Sequence, residues 1–235
     1  MDFDELLKNY QPDPQKIAEL AGVEVCLLVG ISGAGKDTIK RRLLDTGHYF
    51  NFISYTTRAP RTNNGVAEIN GEDYFFITHD VAERMLHDGD FIEAKEYAGN
   101  IYGTGLQTLA EAKELQRTAV NDVEVQGVSE YKTLLPQTVA IFILPPSFSE
   151  WQKRVRTRYQ SEDEFREVWP KRREAAIHEL EFALSVPYYH FVINDDINLA
   201  VTAVDKIVNN RDKFHRKDDE ARLLARDILA EILAN

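Results

Sequence analysis

The stretch Gly30-Ile31-Ser32-Gly33-Ala34-Gly35-Lys36-Asp37-Thr38 has the composition and spacing of a loop that cradles phosphates. Its glycines let the backbone N–H groups of Gly30, Ser32, Gly33, Ala34 and Gly35 turn inward around phosphate oxygens. A helix opening at Lys36 would add the favourable partial charge of its N-terminus. Lys36 is then placed to reach the β and γ phosphates of a nucleoside triphosphate, which makes it the first candidate catalytic residue. The next position ordinarily carries a Ser or Thr hydroxyl that binds Mg²⁺. Here it is Asp37. A carboxylate is also a hard oxygen ligand, so Asp37 is a candidate Mg²⁺ ligand, directly or through water, with Thr38 as the candidate hydroxyl. The competing reading of Asp37 is an acid in the first turn that stabilises the helix dipole.

A second group of residues follows in order. Ser54-Tyr55-Thr56-Thr57-Arg58-Ala59-Pro60-Arg61 sets two arginines three apart. Then come Asn70-Gly71-Glu72-Asp73-Tyr74, Phe91-Ile92-Glu93, Asn100-Ile101-Tyr102-Gly103-Thr104 and Asp122-Val123-Glu124-Val125-Gln126-Gly127. Together with the phosphate loop, this series resembles the guanylate kinases over about residues 23–208. The resemblance implies Mg²⁺-dependent transfer of the ATP γ-phosphoryl group to GMP, and to dGMP. It implies that Arg58, Arg61, Tyr74 and Tyr102 hold the GMP phosphate, and that Glu93 reads guanine with Ser54 and Thr104 as hydroxyl helpers. Asp122 and Glu124 match an acidic pair near the metal and the acceptor. Arg154, Arg158 and Arg172 match catalytic arginines of a lid and its flank, and Asn194 an asparagine near the adenine of ATP.

The chemistry of these residue types agrees. Guanine presents N1–H and N2–H side by side, and an ionised carboxylate is acceptor-only, so Glu93 can take both. Adenine offers no such pair and would leave a buried Glu93 without partners. Ser54 and Thr104 can donate to O6. Two arginines and two tyrosyl hydroxyls suit a phosphate dianion. An acceptor that is itself a phosphate needs no dedicated base, which leaves positioning and charge neutralisation as the catalytic means.

These residues need a scaffold. Val23–Val29, Tyr49–Ile53, Ala119–Val125, Thr138–Leu144 and Tyr189–Ile193 read as strands, and the continuous apolar run Val139–Leu144 is of the buried parallel type. Helices are expected at Lys36–Asp45, Leu106–Gln116, Ser149–Tyr159, Glu162–Leu184 (interrupted by Pro170) and Ile197–Asn209. Between them, Ser54–Thr57, Tyr74–Ile77, Phe91–Glu96 and Asn100–Gly103 are short strands, and Thr78 caps a helix to His87. The expectation is an α/β fold: a P-loop three-layer α/β/α core (residues 23–53 and 106–208) with a mostly parallel central sheet. A small mixed α+β acceptor-binding insertion spans 54–105, and a helical lid lies at about 154–172. Residues 1–22 form an N-terminal extension, with a short helix at Pro14–Ala21. Residues 209–235 form a charged linker (Asp212–Asp219) and an amphipathic helix, Asp218–Ala234, with Ala221, Leu224, Ala225, Ile228 and Ile232 on one face. That face is expected to pack on its own domain, with homo-oligomer contact as the alternative.

Composition narrows the classes. With 235 residues, 43% hydrophobic and 29% charged, the chain is an ordinary globular one. One cysteine, Cys26, excludes an intrachain disulfide, and the six histidines show no metal-ligand spacing. The net charge of −11 speaks against a nucleic-acid partner. No apolar run is long enough for a membrane span, and the acidic N-terminus lacks a secretory pattern, so a cytoplasmic protein is expected.

Some positions depart from the family pattern: Asp37, Ile31 in place of proline, a longer stretch at Thr62–Ala67, a polar Asn121 in a strand, and a longer lid at Tyr159–Trp169 with Tyr159 in place of glycine. Two rival readings remain. Some ribose-bisphosphate phosphokinases also carry Asp after the loop lysine, but they lack the full guanine set. A guanylate-kinase-like module that binds phosphopeptides would have lost the ATP machinery, whereas Gly33, Gly35, Lys36 and Arg172 are present here.

Overall fold

A computed structural model describes residues 3–63, 65–210 and 218–234. Helices α1 (Phe3–Lys8) and α2 (Pro14–Glu19) precede strand β1 (Val25–Val29), helix α3 (Lys36–Asp45) and strand β2 (Tyr49–Asn51). The middle region holds β3 (Tyr55–Thr56), β4 (Thr62–Asn63), β5 (Val66–Ala67), β6 (Phe75–Phe76), α4 (His79–His87), β7 (Phe91–Tyr97) and β8 (Asn100–Gly105). Then follow α5 (Leu106–Glu114), β9 (Thr118–Asp122), α6 (Gly127–Leu134), β10 (Val139–Leu144), α7 (Phe148–Arg156), α8 (Glu162–Ser185), β11 (Tyr189–Ile193), α9 (Ile197–Asn210) and α10 (Asp218–Ala234). This is the expected α/β order, with mostly parallel strands flanked by helices and a smaller mixed sheet.

The chain divides into two compact units. One comprises residues 26–48, 122–128 and 138–235. Its strands lie in the order β11-β10-β1, all parallel, with Leu28 opposite Ile141 and Phe142 opposite Phe191. Leu27, Leu28, Ile141, Phe142, Ile143 and Leu144 are fully buried, as strands covered on both faces require. Cys26 belongs to this core, and burial pushes its thiol up to about 12. Helix α10 packs on α8 and β11 and buries Ala221, Ala225, Ile228 and Ile232, so its apolar face is covered by its own unit. Its first turn meets the edge strand directly. Asp218 Oδ1 accepts the Phe191 N–H at 2.8 Å, and Arg222 donates to the Tyr189 carbonyl at 2.6 Å.

The other unit comprises residues 1–25, 49–121 and 129–137. It holds the parallel pair β2–β9 and a mixed sheet of order β6-β3-β8-β7. Ala82, Leu86, Phe91 and Ile101 form its local core, with Leu6, Leu7 and Tyr10 of the N-terminal segment packed on them. The Tyr10 hydroxyl accepts the Phe91 N–H at 2.7 Å and donates to the Phe91 carbonyl at 2.5 Å. Asn121 finds the hydrogen bond its strand position demands, donating to the Phe52 carbonyl at 2.8 Å.

Three local features differ from expectation. Pro170 does not interrupt its helix, because α8 runs unbroken through it. Proline removes the bond to the carbonyl four residues back, here that of Arg166, and Arg166 lies exposed, where water can replace the partner. Helices α1 and α6 are additional elements, both short. The linker residues 212–217, His215 among them, and Asn64 of the longer Thr62–Ala67 stretch lie outside the described residues. No helix among the described residues is long and apolar enough to cross a membrane.

Candidate active site

One candidate group of residues surrounds the loop between β1 and α3. Gly30 adopts φ +137°, and a Cβ there would run into the Ile143 carbonyl of β10. Gly35 caps α3 in the left-handed region at φ +101°, pressed against the Asn194 amide. Both conformations and both close approaches need glycine. Lys36 folds back to donate to the Gly30 carbonyl. Burial lowers its pKa, and the charges of Glu179, Asp122 and Asp37 oppose that. Asn194, only 6% exposed, donates to the Ala34 carbonyl at 2.8 Å, and its own carbonyl accepts from Arg154 at 3.0 Å. Arg158 reaches the Ser32 hydroxyl at 3.3 Å. Gly33, Gly35, Thr38, Arg154, Arg158 and Asn194 thus border one cleft of about 520 Å³. Arg172 donates to the Tyr159 hydroxyl at 3.2 Å, and its charge, like that of Lys36, acts on Glu179. Asp37 and Thr38 are exposed on the first turn of α3. Asp122 pairs with Lys40 of that helix at 2.5 Å, and Glu124 is exposed on the loop after β9.

A separate candidate group is built on the mixed sheet of the other unit. Strand β7 carries a bulge between Phe91 and Glu93, so that Phe91 pairs with Gly105 and Glu93 with Thr104. The extra residue lets Phe91 and Ile92 both turn into the core and re-aims Glu93. Thr104, 1% exposed, donates to Glu93 Oε1 at 3.2 Å and lies 3.5 Å from the Ser54 hydroxyl. Burial pushes the Glu93 carboxyl up to about 7, with Lys95 pulling it down and Glu130 adding to the rise.

Arg58 forms a second cluster. Its guanidinium grips Glu68 through both carboxylate oxygens, at 2.7 and 3.0 Å, and donates to the Tyr102 hydroxyl at 3.1 Å. It lies over the Tyr74 ring at 5.4 Å, and Tyr74 meets Tyr102 edge-on at 6.0 Å. Arg61 is exposed beside them, its backbone N–H bonded to Glu68. Arg58, Arg61, Tyr74 and Tyr102 therefore gather as one group, and Ser54, Glu93 and Thr104 as another.

A model of the guanylate kinase family matches residues 23–211. The chain belongs to the guanylate kinase family. It is 36% identical to a guanylate kinase of Sus scrofa over 190 residues, 80% of this chain and 92% of that one. It is 35% identical to one of Trichormus variabilis over 183 residues (77% and 87%), and 33% identical to one of Salmonella typhimurium over 204 residues (85% and 94%). The crystal structure of guanylate kinase from Anaplasma phagocytophilum shares the fold, with a TM-score of 0.57 at 24% identity over 81% of this chain and 86% of that one.

Several residues that support these two groups escape a reading of the sequence. Trp151 donates from its indole to the Ser32 carbonyl at 2.8 Å and so pins the phosphate loop. Glu68 aligns Arg58 from ten residues away. Glu179 has one carboxylate oxygen buried without a hydrogen bond, and burial pushes its carboxyl up to about 7 while Lys36 opposes the shift. None carries a motif. Each is found only through a contact between distant parts of the chain.

Proposed function

We propose that this protein transfers the γ-phosphoryl group of ATP to GMP, and to dGMP, giving ADP and GDP or dGDP. The observation that carries the reading is the Glu93 carboxyl, half-buried opposite Thr104 with Ser54 beside it. Ionised, it accepts from N1 and N2 of guanine, while the Ser54 hydroxyl donates to O6 and that of Thr104 to Glu93 itself. Adenine and the pyrimidines offer no matching pair of donors.

In this reading Arg58, Arg61, Tyr74 and Tyr102 hold the acceptor phosphate. Lys36, the loop amides and Arg154, Arg158 and Arg172 neutralise the donor phosphates, and Asn194 borders the nucleoside of ATP. An oxygen of the GMP phosphate attacks the γ phosphorus, and the bond from that phosphorus to the bridging oxygen of ADP breaks. The hard oxygens of Asp37 and Thr38 fit Mg²⁺, exposed as they are on the first turn of α3. Bound there, the ion supplies neutralisation of phosphate charge. Asp122 adds negative charge felt by Lys36, and Glu124 adds charge felt by Glu179.

A coupled ADP-release assay with ATP and Mg²⁺ against GMP, dGMP, AMP, UMP and ribose 1,5-bisphosphate tests the proposal. Turnover with GMP and dGMP that collapses in Glu93→Gln is the expected result. Activity confined to ribose bisphosphate would make the guanine pocket an unused shell. No turnover with any acceptor, in folded protein that ATP does not stabilise, would leave a binding module.

A further inference from the structure

Tyr131 lies on α6, fully buried, with its ring 6.1 Å from that of Phe52. Its hydroxyl is buried and makes no hydrogen bond. Such a group costs folding free energy that a phenylalanine in the same space would not, so it needs a reason. Its neighbours supply one. Burial raises its pKa well above the ordinary tyrosine range, the charge of Glu93 adds to the rise, and the Thr104 side chain opposes it. The hydroxyl is thus a buried, protonated donor beside the Thr104–Glu93 pair.

Thr104 Oγ1 carries one proton and can accept as well as donate. Its proton goes to Glu93 Oε1 at 3.2 Å, which leaves the oxygen free to accept. We propose that Tyr131 is a positioning residue for base recognition: with the nucleotide bound, its hydroxyl donates to Thr104 Oγ1 and thereby fixes the Thr104 proton on Glu93. A bond donated into a donor strengthens the next bond in the chain. The Glu93 carboxylate is then held ionised, in the form that accepts from a base. The inference rests on the reading of Glu93 as the guanine contact. The other groups that face Glu93 are Lys95 on its own strand, Glu130 on α6 and Tyr10 of the N-terminal segment.

The test is Tyr131→Phe in the full chain, with steady-state kinetics for GMP and ATP between pH 5.5 and 8.5. KM for GMP is expected to rise about 3- to 10-fold near neutral pH, the worth of one hydrogen bond. The acid limb of kcat, which reports the bound complex, should move to higher pH, while the acid limb of kcat/KM stays in place and kcat near neutral pH and KM for ATP change less than about twofold. The empty protein should melt at the same temperature or higher, because only an unpartnered hydroxyl is removed. In a Thr104→Val background the same substitution should add nothing. An unchanged KM and acid limb of kcat, an equal loss toward ATP, or a loss that adds to that of Thr104→Val overturns the inference. A wild-type chain that does not use GMP overturns instead the guanine reading beneath it, before any variant is made.

Discussion

Glu68 and Arg58 form a two-pronged ion pair at 2.7 and 3.0 Å, and Glu68 also takes the Arg61 N–H at 2.7 Å. A guanidinium gripped this way presents its remaining donors in a fixed plane. Glu68→Gln should therefore raise KM for GMP by about five- to tenfold with little change in kcat, since charge-assisted alignment is lost while the donor site is untouched. Arg58→Lys should not restore what Arg58→Ala removes, because an ammonium cannot reproduce the fork. The pairing depresses the Glu68 carboxyl. Its stabilising effect is thus complete at neutral pH and fades as pH falls through that lowered value. Steady-state kinetics on the three variants, with a melting series in acid, checks both statements.

Glu93 behaves in the opposite sense. Its carboxyl is pushed up to about 7, so the empty protein holds a proton there that the unfolded chain gives up near pH 4.5. Between those values rising pH costs stability, and above about 7 the cost is complete. Glu93→Gln should accordingly be more stable than the parent at pH 8, by about 3 kcal/mol, and equal to it near pH 4. Base recognition needs the ionised form, so GMP affinity should fall about tenfold one pH unit below the carboxyl's pKa. Thermal melts and GMP titrations across pH read the two effects separately.

How much of this was legible depended on sequence distance. The phosphate loop is local: Gly30 to Thr38, with a strand before and a helix after, carries its own geometry, and α3 begins at Lys36 as expected. Helix α10 was equally plain from its apolar spacing. The acceptor residues were legible only through their order and their likeness to a family, since Ser54, Glu93 and Thr104 meet across separate strands. Tyr131, Trp151 and Glu68 could not be read at all. Trp151 acts on Ser32 across most of the chain and Glu68 grips Arg58 ten residues back, and no periodicity records such contacts. Pro170 misled because a propensity counts the lost hydrogen bond without knowing which carbonyl faces water.

Gly35→Ala should disable ATP binding without touching a catalytic group. The new methyl would strain a backbone held at φ +101° and displace the Asn194 amide from the Ala34 carbonyl. The expected cost is about 1–3 kcal/mol of stability and at least a tenfold weaker ATP titration. GMP titration should be unaffected, which separates this outcome from general unfolding.

Trp151→Phe keeps the ring contacts with Phe148 and Trp169 in kind but removes the indole N–H, leaving the Ser32 carbonyl without its donor. A loss of about 1–3 kcal/mol is expected, with KM for ATP raised and KM for GMP unchanged. Denaturant unfolding beside the two KM values would show it.

The two terminal segments share a task. At the edge strand β7, the Tyr10 hydroxyl occupies both the N–H and the C=O of Phe91. At the edge strand β11, Asp218 and Arg222 occupy the N–H of Phe191 and the C=O of Tyr189. Each extension therefore plugs sockets that another chain's strand would otherwise fill. A protein trimmed to the family-matched stretch 23–211 would keep its motifs and lose both plugs. The expectation is a shorter chain that still carries every proposed substrate contact and clumps strand to strand, which makes the extensions guards of solubility rather than parts of the chemistry.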